Sequence, residues 1–290
     1  MRILLTGCNG QVGFLLKKKL EGKCELLALT RESLDITDEP KINLTVAEFK
    51  PQVIINAAAY TAVDKAESEK ELAFEINATG PKLLAKAASS VNASIIHIST
   101  DYVFEGNKSG TYSETDHVNP QGVYGESKLA GEIAVRENCE KHIILRTAWV
   151  FGEHGNNFVK TMLRLGQERE SLGIVGDQFG GPTYAGDIAD AIVEIIYQIE
   201  DKRFDSWGSY HYSGYPYASW YEFAEQIFVK AKGKGLLESI PKLNKIQTED
   251  YPTPAARPKN SKLECSKVKL QLGIEPSDWL KALEKICEYE

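Results

Sequence analysis

Through the first half of the chain, short β-branched apolar runs alternate with stretches in which apolar residues recur every three or four positions. The runs at 2–6, 25–29, 52–56, 94–99 and 142–147 predict strands. They are apolar almost throughout rather than at alternate positions, as strands covered on both faces require. The intervening stretches at 11–20, 71–90 and 126–137 predict helices, the second being the longest, and each is long enough for a right-handed crossover between parallel strands. The expected fold is α/β, a doubly wound parallel sheet.

After Trp149 the pattern breaks up. Glycines and prolines interrupt the chain at 152–155, at Gly180-Gly181-Pro182 and from Tyr251 to Pro258. One helix, 184–199, is long and apolar enough to return to the sheet, and the aromatic-rich remainder suits a smaller, irregular α/β part closing over a cleft. The expected division is 1–147 plus 184–199 for the sheet domain, with 148–183 and 200–290 forming a substrate domain.

Composition narrows the functional classes. The chain has 290 residues and a net charge of −7, with no basic stripe to engage nucleic acid or an anionic membrane. The N-terminal apolar run is too short for a signal peptide and no stretch approaches a membrane span, so a cytoplasmic location is expected. Five cysteines, scattered without paired spacing, read as core or incidental thiols rather than staples or zinc ligands. Small anionic ligands need only a local cluster. Among the arginines, Arg31, Arg146 and Arg257 fall near loop signals where one could bind.

Three features carry chemistry. The first strand runs into Gly7, Gly10 and Gly13 and then into a helix, the context of the Rossmann dinucleotide fingerprint: a tight turn, close approach of a pyrophosphate, and a helix N-terminus to receive its charge. The predicted fourth strand ends in Ser99-Thr100-Asp101. Tyr124 stands four residues before Lys128, and no other tyrosine has a lysine at that spacing. Such a pair arises by chance about once in a chain of this composition, so its weight comes from company and placement. At i and i+4 on a helix the two side chains share a face. The ammonium would then favour the phenolate and hold a cofactor ribose, while the phenol delivers a proton to a ketone oxygen. Thr100, at a strand's carboxyl end, would bridge that carbonyl and Tyr124. The expected catalytic set is Tyr124, Lys128 and Thr100.

The end of the second strand bears on the cofactor. It reads Leu29-Thr30-Arg31, lacking the acid that accepts an adenosine ribose hydroxyl and offering an arginine to a 2′-phosphate. This favours NADPH, with NADH as the alternative because Glu32 follows at once. Asp35 and Ile36 would border the adenine; for Asp35, a capping turn before the helix after Pro40 is an equal alternative.

Further segments define a resemblance: Gly7-x-x-Gly10-Gln11-Val12-Gly13, Asn56 to Glu67, Ser99 to Phe104, Tyr124-Gly125-x-x-Lys128-Leu129-Ala130-Gly131-Glu132, and Pro252-Thr253-Pro254-Ala255-x-Arg257-Pro258. Over essentially its whole length the chain resembles the dTDP-4-dehydrorhamnose reductase family of the extended short-chain dehydrogenase/reductases. The resemblance implies hydride reduction of the C4 ketone of dTDP-4-dehydro-L-rhamnose, with Tyr124 as proton donor, in cell-surface polysaccharide precursor biosynthesis. It implies cofactor contacts at Gly10, Gln11, Val12, Ala58, Ala59, Tyr60 and Thr61, with Lys128 on the nicotinamide ribose. It implies substrate contacts at Thr100, Asp101 and Trp149. Asn157, Gln178 and Arg257, polar residues in loops of the substrate half, are expected to serve the diphosphate and base.

In one respect the chain departs from the family. Some members are magnesium-dependent dimers with a carboxylate early in the first helix, where this chain has Phe14-Leu15-Leu16, residues expected to pack that helix onto the sheet. No metal is expected, and a monomer is as consistent as a homodimer. Two rival readings remain: a non-catalytic NADP-binding regulatory subunit resembling the methionine adenosyltransferase β subunit, opposed by the intact Thr100, Tyr124 and Lys128, and another sugar-nucleotide reductase or epimerase of the superfamily. A dehydratase would want an acid pair after Thr100, whereas Asp101 is followed by Tyr102.

Overall fold

The computed structural model describes residues 1–201 and 203–289. Five strands, β1 (Arg2–Thr6), β2 (Glu25–Leu29), β3 (Val53–Asn56), β4 (Ser94–Thr100) and β5 (His142–Thr147), fall where the apolar runs predict them. A sixth, β6 (Gly208–His211), pairs in parallel with β5 and completes a sheet of order β6-β5-β4-β3-β1-β2. Every pairing in this sheet is parallel.

Strand parity sorts the core. Ile3, Leu5, Val53, Ile55, Ile143 and Leu145 point to one face, which helix α1 (Gln11–Leu20) and the apolar helix Ala185–Glu200 cover. Leu4, Ile54, Ile95 and Ile144 point to the other, which is covered in turn by helices α2 (Glu39–Phe49), α5 (Gly80–Ser90) and α6 (Val123–Asn138), with the short α3 (Val63–Ala66) and α4 (Lys70–Phe74) between α2 and α5 in the chain. The return of Ala185–Glu200 to the sheet agrees with its sequence pattern. A separate aromatic core around Phe151, Phe223, Phe228 and Trp279 holds together helices Phe158–Glu168, Trp220–Gly233 and Trp279–Ala282.

Several expectations need correction. Residues 208–211 lie in the range assigned to the substrate part but form a strand of the main sheet; Tyr210 and Tyr212 there join its core. The long helix expected at 71–90 is Lys70–Phe74, a π-helical turn at Glu75–Thr79, and Gly80–Ser90. Leu15 and Leu16 pack against the sheet, whereas Phe14 is 39% exposed and stacks on His154 at 4.1 Å. Arg146 is buried on β5 in a bidentate pair with Glu132, not in a ligand loop. The cap of the helix after Pro40 is Asp38, which accepts from the Lys41 N–H, while Asp35 accepts from Thr37. The cysteines are all free, and Cys8, Cys139 and Cys265 are buried.

Candidate active site

The sheet order reverses between β1 and β3, so the loops leaving these strands diverge and open a crevice at their carboxyl ends. Gly7 leaves β1 at φ +71°, and a Cβ there would lie 2.5 Å from the Ala58 nitrogen. A Cβ on Gly13 would lie 2.1 Å from the Gly7 carbonyl oxygen. The chain therefore doubles back tightly only because both side chains are missing. Gly10 caps α1 without a side-chain acceptor, and no acid stands in the first turn, so its N–H groups remain available to an anion.

Above this turn lies a cleft of about 630 Å³, with Gly10, Gln11, Val12, Ala58, Ala59 and Thr61 on one side and Thr100, Asp101, Tyr124, Lys128 and Trp149 on the other. A second recess of about 260 Å³, lined by Gly7, Arg31, Asp35 and Ile36, shares Gly10, Ala58 and Ala59 with it. An elongated dinucleotide fits this arrangement: a glycine turn at the middle, an exposed arginine at one end and the tyrosine-lysine pair at the other. Tyr60 is not in either wall; its hydroxyl donates to Glu69 at 2.7 Å and its N–H to the Asn77 side chain at 2.8 Å. Arg31 reaches Asp35 at 3.8 Å and is mostly exposed.

Tyr124 and Lys128 lie one turn apart on α6, facing the end of β4. Lys128 is buried and its Nζ donates to the Ile98 carbonyl at 2.7 Å. Burial pulls its pKa down to about 8, against the pull of the Glu132 carboxylate. The phenol of Tyr124 departs from expectation. Burial pushes it up to about 12, the Thr100 hydroxyl opposing and Asp101 adding to the rise, so the lysine does not depress it in this arrangement. Thr100 Oγ1 donates to Asp101 Oδ1 at 2.9 Å and accepts from the Tyr102 N–H at 3.3 Å. Burial raises the Asp101 carboxyl to about 6, with the Ser261 and Thr100 hydroxyls opposing.

Trp149 turns into the cleft from a left-handed backbone, φ +50°, and its indole stacks on Trp220 at 3.6 Å. The other three polar residues of the substrate half are engaged elsewhere. Asn157 caps a helix through the Lys160 N–H and donates to Gln11 and to the Gly152 carbonyl, while its neighbour Asn156 faces the cleft. Gln178 is buried and donates to Thr248. Arg257 pairs with Asp64 at 2.6 Å, and the Ala255 N–H donates to the same carboxylate. Two segments of the resemblance, Asn56 to Glu67 and Pro252 to Pro258, thus hold each other. Sequence reasoning passed over Thr147, which ends β5 opposite Thr100 and lines the cleft; the strand-end rule that picked out Thr100 applies to it equally. Among the described residues no group of three or more His, Cys, Asp or Glu side chains is placed to hold a metal ion.

A doubly wound sheet, a glycine turn at its switch point, and a tyrosine-lysine pair beside a strand-end threonine define a nicotinamide-dependent reductase of the short-chain dehydrogenase type. The family model described as the RmlD substrate binding domain matches residues 1–289, and a dTDP-4-dehydrorhamnose reductase of Aggregatibacter actinomycetemcomitans is 50% identical, the match covering 99% of both chains. The chain belongs to the dTDP-4-dehydrorhamnose reductase family. Its fold is that of a solved dTDP-4-dehydrorhamnose reductase from Clostridium acetobutylicum, with TM-score 0.92, 42% identity and 99% of each chain covered. A Bacillus anthracis dTDP-4-dehydrorhamnose reductase solved in complex with NADP superposes with TM-score 0.91 at 39% identity, over 99% of this chain and 98% of that one.

Proposed function

We propose that this protein reduces the C4 ketone of dTDP-4-dehydro-L-rhamnose to dTDP-L-rhamnose, with NADPH as reductant. The observation that carries the reading is the meeting of Tyr124, Lys128 and Thr100 at one end of a cleft whose other end is a dinucleotide cradle. The bound nicotinamide supplies the hydride; the chain's own residues orient the ketone and supply the proton. A phenol held near 12 arrives protonated, as a general acid must. It gives that proton to the ketone oxygen, with the Thr100 hydroxyl the neighbour that favours the phenolate, while the Lys128 ammonium holds the nicotinamide ribose. The Thr100 hydroxyl positions the same oxygen, exchanging its bond to Asp101 for one to substrate.

Asp101 and Trp149 take the sugar in this reading. Arg257, with one guanidinium nitrogen on Asp64 and the buried Nη1 without a protein partner, serves the diphosphate side. Asn157 and Gln178 act at one remove, by fixing the loops that bear Asn156 and the 248–258 segment. Residues 1–147 with 184–199 carry the cofactor, and 148–183 with most of 200–290 close over the sugar. The reaction is cytoplasmic, and one chain contains the whole site, as monomer or within a homodimer. Purified protein given NADPH and the dTDP-4-keto-sugar should oxidise one NADPH per dTDP-L-rhamnose formed. Cofactor binding without turnover would favour a regulatory NADP-binding subunit instead.

A further inference from the structure

Three consecutive residues of β4 each meet α6. The Ile98 carbonyl holds Lys128, Thr100 lies beside Tyr124, and between them Ser99 Oγ donates to Glu132 Oε1 at 2.6 Å. Glu132 sits one turn beyond Lys128, wholly buried, and Arg146 of β5 donates to its two oxygens at 2.9 and 2.7 Å. All three hydrogen bonds to that carboxylate come from strand residues, and Glu132 lines neither the cleft nor the second recess, so it touches no ligand there. We infer that Glu132 is a positioning residue for the reduction: it bolts α6 to β4 and β5 in the one register that brings Lys128 to Ile98 and Tyr124 to Thr100, and it is the anion that keeps Lys128 cationic.

The surroundings of Lys128 support the second half of this statement. Tyr124 and Glu132 face it from its own helix and His97 from β4, with Arg146 of β5 behind Glu132. His97 is buried and neutral, its ordinary pKa driven well down by burial and by Lys128. Burial disfavours the ammonium, and among these neighbours Glu132 alone favours it.

The inference rests on the proposed reduction, in which activity requires the Lys128 ammonium and so falls at alkaline pH as that group loses its proton. The test is the pH profile of kcat/KM for Glu132→Gln with Arg146→Met, a pair of changes that removes both buried charges together. Its alkaline limb is expected to move down by about one pH unit, with kcat lowered. Glu132→Gln alone leaves the Arg146 charge uncompensated and is expected to move the limb further, so either folded variant carries the prediction. Ser99→Ala, which removes one bond but no charge, is expected to lower kcat while leaving the limb in place. A folded charge-free variant whose limb coincides with that of the unmodified protein would overturn the inference. Absence of turnover in the unmodified protein would instead overturn the proposed reaction.

Discussion

Arg31 shows how little of a residue's role its folded contacts need to reveal. Its side chain is exposed and its pairing with Asp35, at 3.8 Å, is long. Such surface pairs are worth little, so Arg31 is free to turn toward a 2′-phosphate. Arg31→Ala should weaken NADPH binding about tenfold and leave NADH nearly untouched, since only the phosphate loses a charge-assisted partner. Calorimetry giving equal losses for both cofactors would make Arg31 an ordinary surface residue. At this scale the sequence foretold a residue's placement where a position has one chemistry, as with Gly7 at the turn and Tyr124 and Lys128 in the cleft. It was less readable where a polar side chain can serve either a ligand or the fold. Asn157 caps a helix and Arg146 neutralises a buried glutamate, because an unpaired buried amide or guanidinium costs more than a loop position can return.

Among elements, the regular ones were legible from their period and the irregular ones were not. β1, β2 and β5 match their apolar runs residue for residue. β6 was missed because Gly208-Ser-Tyr-His is short and polar at its start, and it is drawn into the sheet by pairing with β5 rather than by its own pattern. The π turn at Glu75–Thr79 also leaves no periodic signature; it accommodates Asn77, whose side chain ties Tyr60 to Ser127 of α6. The joining of Asp64, on the short helix Val63–Ala66, to Arg257 is a contact across the whole sequence that no local pattern encodes. Asp64→Asn should raise the KM for the nucleotide sugar about three- to tenfold by loosening the 252–258 loop, with NADPH affinity unchanged. Because both side chains are partly exposed, stability should fall by no more than about 1 kcal/mol. An unchanged KM would leave the pair a purely surface contact.

For the whole molecule, the buried histidines set a pH dependence. His211 is held down at about 3 by burial and by Arg146, and His97 also lies well below its ordinary 6.5. Below 6.5 the unfolded chain binds these protons and the fold does not, so stability is lost as pH falls. Asp101 acts in the opposite sense. Its carboxyl, raised to about 6, takes up a proton in the fold as pH passes that value and offsets part of the loss. The thermal midpoint is expected to fall as pH is lowered from about 7 to about 5, and a midpoint that rises instead would show that the raised carboxyls outweigh the two histidines.

The doubly wound sheet exists, in functional terms, to bring the end of β4 and one face of α6 to the mouth of a dinucleotide crevice, and the claim that Tyr124 is the acid there is the one on which the rest depends. Steady-state reduction of the dTDP-4-keto-sugar by Tyr124→Phe, measured alongside NADPH affinity, tests it most directly. Turnover should drop by roughly 10²- to 10⁴-fold, the range for loss of a positioned proton donor, while NADPH binds as before. Turnover within a fewfold of the unmodified protein would contradict the account.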